Sequence, residues 1–97
     1  MAMTAHLTHL DFAPLVGDVF ALDANGRSVS LRLLEANELG NAVREGGAFA
    51  LQFLGPLLPV LPQAIYPLSH ETLGLHHIFI VPVARVSDGM RYEAIFT

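Results

Sequence analysis

The chain has 97 residues, 53% of them hydrophobic and only 14% charged, with a formal net charge of −4. Its cations are five scattered arginines, Arg27, Arg32, Arg44, Arg85 and Arg91; without a basic patch to neutralise phosphates, nucleic-acid binding is not expected. It has no lysine for a Schiff base and no cysteine for a disulfide, a thiolate metal site or a thiol nucleophile.

A chain of this length is expected to form a single β domain, residues 1–97. Small domains hide only about 60–70% of the surface their unfolded chains expose, and a typical charged share is about 25%. The apolar surplus therefore predicts that part of the surface is covered by a second chain, in an oligomer or with an obligate partner. Met1 to Leu10 lacks the basic and apolar pattern of a leader. No run of about 20 apolar residues is free of Pro and Gly. No membrane association is expected, and the default location is cytoplasmic.

In chain order, Thr8-His9-Leu10-Asp11 has capping-box spacing and predicts a short helical turn. Pro14 and Gly17 end it. Leu10, Phe12 and Leu15 are expected to plug one end of a sheet structure. Asp18 to Leu22 alternates as a strand, and Asp23-Ala24-Asn25-Gly26 is a hairpin signal. Ser28 to Leu34 alternates with Val29, Leu31 and Leu33 inward, and is open to extension as far as Glu38. Gly40 to Gly47 is read as a polar connection. A third strand is predicted over Ala48 to Leu54.

Gly55 to Gln63 carries Pro56, Pro59 and Pro62, so it forms neither helix nor central strand. It also carries Leu57, Leu58, Val60 and Leu61, an unusual apolar load for a connection. Ala64 to Ser69 is the fourth strand, with Pro67 marking an edge or a bulge. His77 to Ala84 is apolar at nearly every position, as in a strand buried on both faces. Ser87-Asp88-Gly89-Met90 is a second hairpin signal, and the last strand starts at Arg91. Six short strands predict an all-β fold, a small antiparallel barrel or half-barrel with a short N-terminal helical turn.

The proline loop is the leading functional feature. Leu57, Leu58, Val60, Leu61 and Gln63 are its candidate partner-binding residues; the competing reading is a lid in which the leucines fold back over the barrel mouth. Phe49, Phe53, Tyr66, Phe79 and Tyr92 are candidates for lining a small-ligand site if the barrel is hollow. A third reading, a metal-dependent enzyme, would use His70 with His76 or His77. The last two are sequence neighbours on a strand and point to opposite faces, so no metal site is assigned and no cofactor is expected. His70 shares a face with Tyr66 and Leu68, which favours a buried histidine holding a loop carbonyl. Ser69-His70-Glu71 is not a triad, because consecutive residues on a strand cannot meet side chain to side chain.

Four stretches carry a resemblance: Phe12 to Phe20, Phe49 to Pro56, Leu61 to His70, and Leu73 to Val83 with Tyr92 to Phe96. Together they resemble an uncharacterised bacterial family of small standalone proteins, often encoded near phage-tail-collar-like (microcystin-dependent-type) fibre proteins. The phenylalanine–Gly–Pro phrase ending at Pro56, followed by Leu-x-Gln-x-x-Tyr-x-Leu-x-His from Leu61 to His70, is its most specific part. This chain has Ala64-Ile65 where the family usually has Gly-Thr. The resemblance implies no catalytic residue. It implies a setting: a non-enzymatic interaction or assembly protein that self-associates or binds a fibre or tail-collar-like protein, in the cytoplasm or in a larger tail-like assembly.

Overall fold

Alternating apolar residues set the strands. The computed structural model describes residues 7–40 and 47–96. They form β1 (Val19–Ala24), β2 (Arg27–Glu38), β3 (Phe49–Gly55), β4 (Ala64–His70), β5 (Gly74–Val86) and β6 (Gly89–Phe96). Every neighbouring pair is antiparallel, and the sheet closes on itself in the order β1-β2-β3-β6-β5-β4. The expected six-stranded all-β barrel is the observed fold, closed rather than half-open. The polar connection expected between Gly40 and Gly47 falls, at 41–46, outside the described residues.

The first hairpin turns at Asn25 and Gly26, both at positive φ (55° and 91°), as a tight turn between twisted strands requires. Asp23 Oδ1 accepts the Gly26 N–H at 2.7 Å. β2 runs on to Glu38 because a register shift between Leu33 and Glu35 resets its phase. Val29, Leu31 and Leu33 are buried before the shift, and Ala36 packs on the same core after it.

The order of strands decides the shape of the proline loop. β1, β2 and β3 form one half of the ring, and β6, β5 and β4 form the other. β3 and β4 therefore stand on opposite sides, and residues 56–63 must cross the barrel mouth to connect them. The half-shells meet along two seams. β3 and β6 share seven residue pairs, from Phe49–Phe96 to Gly55–Met90. β1 and β4 share two, Ala21–Ser69 and Leu22–Leu68. Pro67, which has no N–H to give, sits one residue beyond the short seam, close to the edge position its sequence suggested.

The other barrel end is filled by the N-terminal segment. α1 (His9–Phe12) is followed by a 3-10 turn, Ala13–Leu15. The Thr8 N–H donates to Asp11 Oδ2 at 2.7 Å, closing the expected capping interaction. His9 Nε2 donates to the Ala36 carbonyl at 2.8 Å and ties the helix to β2. Phe12 is fully buried, with ring contacts to Phe20, Phe49 and Phe96. Leu10, expected to join this plug, is 76% exposed instead. Two residues along a helix is about 200° of rotation, so Leu10 and Phe12 cannot share a face.

Candidate functional site

The proline loop divides by residue into a buried part and an exposed part. Leu61 drops into the barrel and is buried. This corrects its expected place among the partner-binding residues: a chain crossing the mouth lies over an apolar rim, and Leu61 fills it. The chain's two tyrosines fasten the crossing. Tyr92 Oη accepts the Leu61 N–H at 2.9 Å, and the Tyr66 hydroxyl donates to the Pro62 carbonyl. Burial, and then the neighbouring Tyr92, raises the Tyr66 phenol above its ordinary pKa of 10.0. Leu57, Leu58 and Val60 stay on the outside of the lid, with Leu58 74% exposed. Gln63 is exposed where the lid ends.

The candidate ligand-lining set is broken up. Phe49, Phe53, Tyr66 and Tyr92 are buried members of the packed core. Phe53 meets Phe20 edge-on at 5.6 Å, and Phe49 stacks on Phe96 at 4.4 Å. Phe79 does not join them: it points outward and is 48% exposed. The β5 run is apolar on both faces, so its composition could not show which parity faces in; pairing places Ile78 and Ile80 inside.

His70 is buried, as its face predicted, but its partners differ from the expected loop carbonyl. Nδ1 accepts the Thr72 N–H at 3.0 Å, and Nε2 donates to Asp18 Oδ2 at 2.9 Å. These partners assign the ring proton to Nε2 and leave neither nitrogen free. Ser69 Oγ donates to the Ala21 carbonyl at 3.3 Å. Both bonds cross the two-pair seam between β1 and β4, so side chains reinforce it where the backbone ladder is short. A cleft of about 570 Å³ runs along this seam, lined by Asp18, Val19, Ala21, Ser69, His70 and Glu71. His76 Nε2 donates to the Leu73 carbonyl at 2.9 Å, while His77 lies on the exposed face. Among the described residues, no three His, Cys, Asp or Glu side chains gather as a metal site would need.

The run that is apolar on both faces of β5 leaves an apolar outer surface on the second half-shell, and β4 and β6 widen it. Ile65 on β4 pairs with Phe79 on β5, and Ile95 on β6 lies on Phe79's other side. All three are exposed, Ile65 at 64%. Leu75 and Val83 extend the exposed apolar line along β5. The β5–β6 ladder stops at Val81–Glu93. Past that point a notch of about 240 Å³ opens, lined by Ile65, His77, Ile78, Phe79, Ile95 and Phe96. The patch is bounded by polar side chains: Arg91 Nη2 donates to Gln52 Oε1 at 3.1 Å, and Gln52 Nε2 donates to Glu93 Oε2 at 2.7 Å.

A family model, described as a domain of unknown function (DUF6916), matches residues 7–96. The chain belongs to the DUF6916 family. No curated protein and no solved structure matches it. The stretches that carried the resemblance do structural work in this DUF6916 domain. Of Leu61 to His70, the residues Leu61, Tyr66, Leu68 and His70 are buried, while Gln63 is exposed. In Phe53-Leu54-Gly55-Pro56, a Cβ on Gly55 would lie 2.7 Å from Leu31 Cδ2 and 3.2 Å from the Tyr92 ring. A side chain at this position would displace the end of Leu31 and crowd Tyr92 beneath the lid. These residues help to build the lidded barrel. No helix among the described residues is long and apolar enough to cross a membrane.

Proposed function

We propose that this DUF6916 domain acts by protein contact, as a non-enzymatic interaction or assembly module. The observation that carries the reading is the exposed apolar surface on rigid supports: Ile65, Phe79 and Ile95 on paired strands, and Leu57, Leu58 and Val60 on the fastened lid. Contiguous exposed apolar residues rimmed by polar ones mark interaction sites. Prolines and the two tyrosine bonds restrict the lid before any partner arrives, which lowers the ordering cost of binding. The core aromatics are occupied with one another, and both His70 nitrogens are bonded, so neither alternative chemistry gains support from its own candidate residues. The resemblance makes fibre or tail-collar-like proteins the first partners to test.

The test places a photo-crosslinking phenylalanine analogue at Leu58 or Phe79 in the native host. Discrete protein adducts are expected from at least one position, with a fibre or tail-collar-like protein among them if the assembly setting is right. Adducts to small molecules alone, or no protein adduct at either position, would overturn the contact reading.

A further inference from the structure

We infer that this domain pairs with a second copy of itself through the outer face of β4, β5 and β6, each Phe79 seating in the other copy's notch. The inference rests on the contact reading above and names its partner.

Three observations select a second copy. First, knob and hole adjoin on one face. Phe79 is a half-exposed ring, and the notch beside it measures about 240 Å³; a cavity of roughly 150 Å³ already accommodates benzene. A two-fold axis maps a patch onto itself, so an isologous contact needs a protrusion beside the recess that receives it. Second, the face looks alike from either side: Ile65 flanks Phe79 on β4 and Ile95 flanks it on β6. Third, the outward residues of β4 and β5 from Ile65 to Ser69 and from Leu75 to Val83 include no Asp, Glu or Arg, and the charged outward residues of β6, Arg91 and Glu93, are bonded to Gln52 at the edge of the patch. Two chains of net charge −4 can meet over β4 and β5 with these charges kept at the rim.

A contact built on Ile65, Phe79 and Ile95 involves far fewer side chains than the roughly 20 residues and 800 Å² a side of a standard stable interface. The dimer is therefore expected to be reversible, with a Kd in the micromolar range.

The experiment is sedimentation velocity of the untagged full chain over a concentration series. Wild type should pass from monomer to dimer. Phe79→Asp should weaken pairing by at least about tenfold, while Leu10→Asp, at an exposed leucine on the N-terminal helix, leaves it unchanged. Circular dichroism checks the fold of each variant. If Phe79→Asp does not fold, Ile65→Glu decides, because Ile65 is the more exposed of the two. A wild type that stays monomeric, a dimer insensitive to both patch variants, or a dimer lost on changing Leu57 and Leu58 to Ser would each overturn the inference. Crosslinks from Phe79 to a different protein, with a monomeric wild type, would sink self-pairing and leave the contact reading standing.

Discussion

The barrel is stoppered at both ends, and the two stoppers work by different physics. At one end Phe12 enters an aromatic cluster with Phe20, Phe49 and Phe96 and is fully buried. Its stabilisation comes from apolar area and ring packing. At the other end Leu61 enters from a segment that crosses the mouth, and tyrosine hydroxyls hold the crossing. The first end is a plug held by volume. The second is a lid held by two directed bonds, one accepted by Tyr92 and one donated by Tyr66. Burial alone would not separate them; the partners of the polar atoms do.

The contrast is broken most severely at the plug. Phe12→Ala should cost about 3–5 kcal/mol, the range for emptying a buried aromatic site. Denaturant unfolding should show this as a lower midpoint with an unchanged slope. The lid should respond less in energy and more locally. Tyr92→Phe removes the acceptor of a buried N–H and should cost about 1–3 kcal/mol. Its signature is faster hydrogen exchange at the Leu61 amide with little change around Phe12. The smallest effect is a pH dependence confined to the lid. Tyr66 has a raised pKa in the folded chain, so the folded state holds its proton more tightly than the unfolded one. That contribution is complete below the ordinary phenol value and is lost as pH rises through the folded one. Stability should fall in the alkaline range above about pH 10, and Tyr66→Phe should flatten that fall, as read by thermal melts at stepped pH.

Much of this contrast was legible before any coordinates. Alternation at Val29, Leu31 and Leu33 and the Asn25-Gly26 turn are local signals, and the first hairpin follows them. The burial of Phe12 and His70 was readable from spacing. What was not readable is whatever depends on strand order. Leu61 differs from Leu57 and Leu58 only because the loop spans the mouth from β3 to β4, and nothing local encodes that span. His70 takes Asp18 as partner across the seam between β1 and β4, a pairing of residues far apart in sequence. Phe79 was placed inside because β5 is apolar at both parities, and only its pairing with Ile65 fixes the face it shows.

The strand order has one more consequence. Residues before the lid build one half-shell and residues after it build the other, joined by seams of seven and two residue pairs. In topological terms the molecule is an association between two three-stranded fragments that share a chain. Leu57 to Val60 then act on the fold as a tether, raising the effective concentration of one fragment about the other. Two duties fall on one short segment: joining the fragments and presenting leucines to solvent. A change in its length would alter how often the fragments meet as well as the surface they display.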